Sequence, residues 1–257
     1  MAVFVTAGTL AGQPGLAHGF FTRRGGVSKG AFAALNCSLS GRDDAEAVRE
    51  NRRRAADALG LPAQALIGLT QVHGAAVAVL DTPWPEERRP RADAMVTRRP
   101  GLALGIVTAD CAPVLFADPA AGVIGAAHAG WRGAVAGVLE ATIQGMLALG
   151  ARRGRILAAI GPCIRQPSYE VGPDLRDAVI GRAAADARFF AEARREGRWQ
   201  FDLAGYCAAR LAAAGVAVEV TPHDTLPNEA DFFSHRRNTL AGGGPIGHQL
   251  SAIALTG

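Results

Sequence analysis

Lysine and tyrosine are nearly missing from this sequence. Lysine occurs once, at Lys29, so arginine supplies the rest of the 27 basic residues, and tyrosine occurs only twice. The net charge is +4 and the pI is about 9.2, but the arginine clusters are interleaved with acidic residues, as on a solvated surface. Proteins that bind single-stranded nucleic acids combine positive charge with aromatic side chains on which bases stack. The shortage of tyrosine therefore argues against nucleic acid as a partner.

Long apolar runs and closely spaced cysteines are also absent. No stretch reaches the roughly 18 apolar residues of a membrane helix, and the start MAVFVTAGTLAG lacks the basic segment of a signal peptide. The four cysteines, at positions 37, 111, 163 and 207, are too far apart for a small disulfide framework. We expect a cytoplasmic protein with no membrane partner, in which thiols are more often metal ligands or nucleophiles.

The common glycine motifs for phosphate binding are missing as well. No GxGxxG follows a predicted strand and opens a helix, and no GxxxxGK[ST] occurs. The sequence therefore does not indicate a dinucleotide site or a P-loop nucleotide site. Hydrophobic residues, by contrast, are plentiful: they make up 49% of the sequence, enough for a sizeable core.

Short apolar segments and helical patterns follow each other without a strict strand–helix–strand rhythm. Strands are predicted at 3–5, 19–22, 77–80, 94–97, 102–108, 113–117, 122–127, 155–160, 216–220 and 250–255. Helices are predicted from Asp43 or Asp44 to Leu59 and at 132–149, 174–195 and 202–214. We expect a mixed α/β fold, a single domain over residues 1–257, with mixed β-sheets folded against each other and helices packed outside.

One cysteine and two histidines are candidate metal ligands. His73 precedes a predicted strand, Cys111 lies at a strand junction, and His128 ends a buried strand before a helix. Two imidazoles, a thiolate and an open fourth position are typical of catalytic zinc. The spacing is unlike that of a zinc finger, so the three residues would have to converge through the fold. From the residues alone, a Cys–His nucleophile pair and a buried cysteine with two ordinary histidines remain alternatives.

Longer motifs run in order from residue 19 to residue 237. They are GFFTRRGGVSKGAFAALN, ENR, QVHGAAV, ADAMVT, TADCAPVLFAD, GVIGAAHAGWRG, AAIGPCI, YEVG and FFSHRR. With them the chain resembles the multicopper polyphenol oxidoreductase family, also known as the YfiH family of laccase-like purine nucleoside phosphorylases and peptidoglycan editing factors. The pair TADCAPVLFAD and GAAHAGWRG is the most specific part of the match. The resemblance implies a YfiH-like fold of the cysteine-hydrolase type.

The resemblance also implies chemistry. Family members cleave adenosine, inosine and methylthioadenosine with phosphate, giving the base and ribose 1-phosphate, and deaminate adenosine. The family pattern places a catalytic zinc, with copper as the other candidate metal, on His73, Cys111 and His128. Cys111 and His128 are thus expected catalytic residues, and Asp110 is expected to transfer protons, with Asp93 as a second candidate and a turn-capping role as the alternative for both. The expected partners are purine nucleosides and phosphate.

Seven further residues are expected to contact substrate or phosphate. Arg132 opens the helix after His128, where free backbone N–H groups and a guanidinium suit an anion, although a solvated first-turn arginine is the alternative. Cys163 is either part of the pocket wall or a buried small residue. The full set is Arg24, Asn36, Arg52, Arg132, Cys163, Tyr169 and Arg236.

Other functions fit part of the pattern. A four-copper oxidase needs several histidines per metal, and six histidines in the whole chain are too few for that; a single His2Cys site could still hold one copper. An amide hydrolase that edits peptidoglycan precursors and a non-catalytic metal-binding protein fit the same three ligands. The sequence departs from the family pattern at 220–225, where a Cys-Thr pair is common, and in its glycine-rich tail, where Thr-Gly-Arg is usual.

Overall fold

The structure is a computed structural model and describes residues 1–256. The helices are α1 (Ala45–Ala58), α2 (Trp131–Ala136), α3 (Val138–Ala148), α4 (Pro173–Arg182), α5 (Leu203–Ala213) and α6 (His235–Leu240). The strands are β1 (Phe4–Val5), β2 (Leu16–Phe21), β3 (Leu66–Ile67), β4 (Val77–Val79), β5 (Ala94–Thr97), β6 (Ala103–Thr108), β7 (Ala112–Asp118), β8 (Val123–Ala129), β9 (Leu157–Ile160), β10 (Glu170–Val171), β11 (Phe190–Glu192), β12 (Trp199–Phe201), β13 (Ala217–Val220) and β14 (Gln249–Leu255). No described helix has the length and apolar character needed to cross a bilayer.

Two mixed sheets form the centre of the molecule. The five-stranded sheet has the order β1-β2-β14-β6-β3, and the six-stranded sheet has the order β13-β9-β7-β8-β5-β4. Each sheet contains one or more parallel pairs among antiparallel ones; β3 runs parallel to β6, for example, whereas β7 runs antiparallel to β8. A small third sheet has the order β10-β12-β11. The predicted mixed α/β fold is confirmed.

The hydrophobic core lies in three layers. Between the two large sheets, Ile106 and Ile253 of the five-stranded sheet pack in one cluster with Leu115 and Ile124 of the six-stranded sheet. A second cluster joins the outer face of the six-stranded sheet to α3 and α5, and a third joins the outer face of the five-stranded sheet to α1. The expected arrangement, sheets folded against each other and helices outside, follows from this burial on both faces of each sheet.

The helix predicted over 132–149 is two helices. Gly137, with φ of 96°, ends α2 in the left-handed region and at the same time begins α3. Glycine adopts this conformation without the steric cost that a Cβ brings, which is why it commonly ends helices. The prediction of one continuous helix was wrong because its apolar spacing runs through the break. The helix after His128 is therefore only six residues long, with a weaker dipole than the continuous helix would have had.

The prediction of a helix over 174–195 is also wrong in its second half. Helix α4 ends at Arg182, and the chain continues as a 3-10 turn and then as β11. The ring of Phe190 stacks on that of Phe201 at 4.8 Å between centroids. The stacking of these rings and the pairing of β11 with β12 outweigh the high helix propensity of an alanine-rich segment. The small third sheet and α6 had no counterpart in the predicted elements.

Close packing between the sheets predicts the effect of one substitution. A Cβ added to Gly161, just after β9, would lie 2.1 Å from Cδ1 of the fully buried Phe20. Gly161→Ala should therefore lower the free energy of unfolding by about 1–3 kcal/mol, the usual cost of overpacking, measured by urea denaturation. Gly181→Ala in α4 is the control, since its Cβ would meet no atom within 4 Å, and it should be neutral or slightly stabilising. Equal effects of the two changes would contradict this packing.

Candidate metal centre

Two short connections carry the chain from the five-stranded sheet to the six-stranded sheet. Strand β6 continues into β7 through residues 109–111, and β3 continues into β4 through residues 68–76. Cys111 lies in the first connection and His73 in the second, while His128 lies near the end of β8. Three residues that are distant in the sequence thus meet where the chain passes from one sheet to the other.

The three candidate ligands form a compact group. One potential ligand atom from each of His73, Cys111 and His128 lies within 4.8 Å of the others, and no second group of this kind occurs among residues 1–256. The two imidazole rings are 4.7 Å apart between centroids, with an interplanar angle of 83°. A Cβ at Gly130 would lie 3.0 Å from the Cys111 Sγ, so glycine keeps the space beside the thiolate free. Two nitrogens and a sulfur suit one zinc or one copper ion.

The backbone is strained at both connections. His73 has φ of 61° and Asp110 has φ of 88°, and among the described residues no other non-glycine residue has a positive φ. Such conformations cost on the order of 1–3 kcal/mol each and cluster at functional sites. Their position, at one ligand and directly before another, indicates that the packed sheets hold the ligands in place against a local preference.

The carboxylate of Asp93 connects two of the ligands. Its Oδ1 lies 2.8 Å from Nδ1 of His128, and it accepts hydrogen bonds from the backbone N–H groups of His73, at 2.9 Å, and Gly74, at 2.7 Å. The carboxylate makes His128 Nδ1 the donor and leaves Nε2 free for a metal, the arrangement found around most metal-binding histidines. Asp93 is a sequence candidate for proton transfer; the geometry favours a positioning role, and proton transfer by Asp93 stays a prediction.

The charges at the site favour a thiolate. Burial raises the pKa of Cys111, but the neighbouring His128 and His73 outweigh burial and lower it to about 6. Burial lowers the pKa of His128, but Cys111 and Asp93 outweigh it and raise the pKa to about 9. Burial also raises the pKa of Asp93, whereas His128 and the backbone amides lower it below its ordinary value. The thiolate is the form that binds metals.

A cavity of about 470 Å³ lies in front of the candidate ligands. Its walls include Arg132, Tyr169 and Arg236 among the residues expected to contact substrate, together with Arg52. The Arg132 guanidinium lies 4.4 Å from the centre of the Trp131 ring, and that of Arg236 lies 5.4 Å from the centre of the Tyr169 ring. Stacked guanidiniums keep their in-plane donors free for a carboxylate or phosphate. The cavity thus joins a metal site to cationic, aromatic walls.

Three expected substrate residues lie outside the lining of this cavity. Arg24 is exposed and pairs with Asp231 at 2.6 Å. The side-chain amide of Asn36 donates to Asp43 at 2.9 Å. Cys163 is fully buried, and burial raises the pKa of its thiol to about 12. These contacts favour structural roles for the three residues, and contact with substrate stays a prediction for each.

Asp110 lines the cavity, but its carboxylate is engaged on both oxygens. Oδ1 accepts from the Thr225 hydroxyl at 2.6 Å, and Oδ2 accepts from the Ser234 hydroxyl at 3.0 Å and from the backbone N–H of Arg236 at 2.6 Å. These bonds hold the start of α6 against the turn that carries Cys111. The geometry favours a positioning role, and proton transfer by Asp110 stays a prediction.

Two further histidines, His235 and His248, line the cavity. The sequence motifs assigned no role to either of them. Burial, followed by the nearby His128 and two other histidines, lowers the pKa of His248 to about 4. His248 follows the glycine-rich tail, which departs from the family pattern, so no motif pointed to it. The neutral His248 ring offers one donor and one acceptor to a ligand in the cavity.

Comparison with known proteins gives consistent matches. The profile of the family described as multi-copper polyphenol oxidoreductase laccase matches residues 17–256. A Deinococcus radiodurans protein named purine nucleoside phosphorylase is 46% identical over 238 residues, covering 93% of this chain and 88% of that protein. A Streptomyces griseus protein named purine nucleoside phosphorylase ORF3 is 44% identical over 234 residues, covering 89% of this chain and 92% of that protein.

Solved structures match over all or nearly all of the chain. YlmD from Geobacillus stearothermophilus has a TM-score of 0.87 and 30% identity, with 100% of both chains covered. A Neisseria meningitidis protein has a TM-score of 0.85 and 34% identity, covering 100% of this chain and 99% of that chain. A Bacillus licheniformis protein, YfiH, has a TM-score of 0.84 and 28% identity, with 94% and 93% covered. The fold expected from the resemblance is confirmed.

The position of Asp93 predicts how metal binding responds to its loss. Asp93→Asn should weaken zinc binding by roughly 10–100-fold, the scale for residues that orient metal ligands. The amide has no negative charge, and if its oxygen accepts from His128 and His73, its NH2 group faces the Gly74 N–H that Oδ2 of the carboxylate accepts from. Competition with a chromophoric chelator measures the affinity. Asp81→Asn, the same change at an exposed loop residue, is the control, and equal zinc affinity in the two variants would contradict the role of Asp93.

Proposed function

Since the chain belongs to the multi-copper polyphenol oxidoreductase laccase family, we propose that it is a zinc-dependent enzyme that cleaves purine nucleosides with phosphate. Its substrates would be adenosine, inosine and methylthioadenosine, and it would also deaminate adenosine. The names of the Deinococcus and Streptomyces relatives support the phosphorylase assignment. The single observation that carries the proposal is the His2Cys group in the wall of a cavity with cationic and aromatic sides.

The donor set supports one metal ion rather than several. A multicopper oxidase distributes many histidines over its coppers, whereas among residues 1–256 one cluster of three ligands is present. The methionines that a blue-copper site would use as axial ligands are not in the cavity wall: Met95 and Met146 are fully buried in the core. Zinc, once held by His73, Cys111 and His128, would supply Lewis-acid polarisation and water activation.

Other residues around the cavity position the ligands and bind the substrates. Asp93 holds His128 in one tautomer, and Asp110 fixes α6, which brings Arg236 to the cavity. Tyr169 offers an aromatic face to a flat purine base. In phosphorolysis a phosphate oxygen bonds to C1′ of the ribose while the bond from C1′ to the base breaks, and the base leaves with its electron pair. Arg132 would hold that phosphate, since an arginine fork matches two phosphate oxygens.

Metal identity gives one prediction. Cys111→Ala should lose zinc and nucleoside cleavage together while keeping the wild-type circular dichroism spectrum, because the thiolate is one of three ligands. Metal-free wild-type protein reloaded with zinc alone should regain cleavage of adenosine, inosine and methylthioadenosine. Chromatography of the released free base measures this cleavage. Full zinc occupancy in Cys111→Ala would refute the ligand assignment, and nucleoside turnover that required copper and oxygen would refute zinc dependence.

Phosphate binding by Arg132 gives another prediction. Arg132→Ala should weaken phosphate saturation by about 1.5 kcal/mol, the lower end for a charged hydrogen bond, since the side chain is exposed. Adenosine deamination uses no phosphate and should change much less. Initial rates at varied phosphate measure both reactions, with Arg132→Lys as the variant that keeps the charge and loses the fork. Equal loss of both reactions with zinc retained would show a structural role for Arg132. Separately, if the wild-type enzyme cleaved a muramyl-serine precursor and not nucleosides, the proposed substrate would be refuted.

A further inference from the structure

A second cavity of about 300 Å³ adjoins the first. Helix α1 and the segment before β5 form its sides, and Leu39, Arg52 and Gly68 line both cavities. Four arginines and one glutamate line it: Arg49, Arg52, Arg53, Arg89 and Glu86. Apolar residues and the ring of Trp84 complete the wall. No motif of the sequence pointed to this cavity.

Two of its arginines, Arg52 and Arg89, are largely shielded from solvent and have no carboxylate at hydrogen-bonding distance. Arg89 is 12% exposed at the side chain, its nearest carboxylate is Glu86 at 3.8 Å, and its Nε and Nη1 atoms are buried with no hydrogen-bond partner. Glu86 is itself 54% exposed at the side chain. Arg52 is buried and donates only to backbone carbonyls, at 2.9 Å to Leu66 and 3.4 Å to Cys37. Arg53, by contrast, is neutralised by Glu50 and Asp57.

Buried cations without partners are costly. Unpaired buried charges and unsatisfied buried donors each destabilise a fold, and native proteins usually satisfy them with an ion, a water or a ligand. Burial lowers the pKa of Arg52; Cys37 and Glu86 raise it, without outweighing burial, and the nearby Arg89 lowers it. The two guanidiniums therefore act on each other as like charges across the cavity. An anion placed between them would offset both the charge and the missing hydrogen bonds.

We propose that this second cavity binds a phosphomonoester whose phosphate is held by Arg52 and Arg89. Guanidiniums bind phosphate through paired N–H donors, and two of them around one dianion neutralise it. The volume is at the lower end for small-molecule sites and exceeds the needs of a free ion, so the phosphate would carry a small organic group such as a pentose. Trp84 would contact that group; its indole N–H already donates to the Gly68 carbonyl at 2.9 Å, which fixes the ring.

The proposed site shares Arg52 with the metal cavity, but it does not depend on the proposed reaction. It is defined by Arg89 and Trp84, which do not line the metal cavity, and it is tested by binding alone. It would therefore stand if the chain failed to cleave nucleosides. The shared residues Leu39, Arg52 and Gly68 place a bound phosphomonoester directly behind the metal cavity.

Tryptophan fluorescence tests the assignment at one position. The chain has three tryptophans, so the double variant Trp131→Phe/Trp199→Phe reports on Trp84 alone. Titration with ribose 5-phosphate in phosphate-free buffer should change this signal saturably, and uncharged ribose should not. Arg89→Gln in the same background should weaken binding at least tenfold, roughly the scale of a charged hydrogen bond. Arg88→Gln, an exposed arginine of the same turn, is the control and should bind as before.

Several outcomes would overturn the proposal. These are a non-saturable signal, equal binding in Arg89→Gln and Arg88→Gln, or saturation by inorganic phosphate with no binding of ribose 5-phosphate. Loss of the signal in Arg132→Ala would place the ligand in the metal cavity and would also overturn it.

Thermal denaturation gives a second readout that a structural role would not produce. Arg89→Gln removes an uncompensated charge, so in phosphate-free buffer it should melt no lower than the wild type. Ribose 5-phosphate should raise the melting temperature of the wild type and not that of Arg89→Gln. A lower melting temperature of Arg89→Gln without ligand would show that Arg89 stabilises the fold itself, which would contradict its assignment as a ligand-binding residue.

Discussion

The Asp93 carboxylate is the interaction on which the geometry of the metal centre depends. It binds the ring of His128, on one strand, and the backbone of His73 and Gly74, on a connection between the sheets. One buried side chain thus fixes a ligand by its ring and another by its main chain. Its negative charge also offsets the charge that a metal would bring to the site. Together with backbone hydrogen bonds that join Thr70 and Ala76 to residues 90–94, it anchors the strained His73 turn beside the six-stranded sheet.

The two-sheet architecture explains why the site lies where it does. A strand of one sheet can continue into the other only through a connection at the edge of the sandwich, and both connections that carry ligands end there. The same edge receives the start of α6, held by Asp110, and loop residues 38–41 complete the cavity wall. A site built on packed strands keeps its geometry more precisely than one built on mobile loops.

The arginines of the chain serve different purposes that composition does not distinguish. Arg53 is paired with carboxylates on its own helix, Arg132 and Arg236 stack on aromatic rings at the metal cavity, and Arg52 and Arg89 are buried without a carboxylate at bonding distance. Only the last two groups have donors left for an anion. Two adjoining cavities are thus lined by arginines that can bind an anion, as the two proposed phosphate-bearing ligands require.

The sequence by itself determined the elements whose pattern is local. The continuous apolar runs became buried central strands, and the strand predicted at 94–97 is β5. It also supplied the three candidate ligands, which the fold brings together. It failed at Gly137, where apolar spacing continued through a helix break, and at Phe190, whose stacking on a distant ring replaced a helix by a strand.

Only the tertiary structure decided what depends on residues far apart in the chain. The role of Asp93 required knowing that its carboxylate faces His128 and the His73 turn, and the engagement of Asp110 required partners more than a hundred residues away. The second cavity depends on Arg52 and Arg89 lining the same space although helix α1 and the later segment are separate in sequence. Side-chain partners are set by packing, and a linear pattern encodes which residues are buried but not which of them meet.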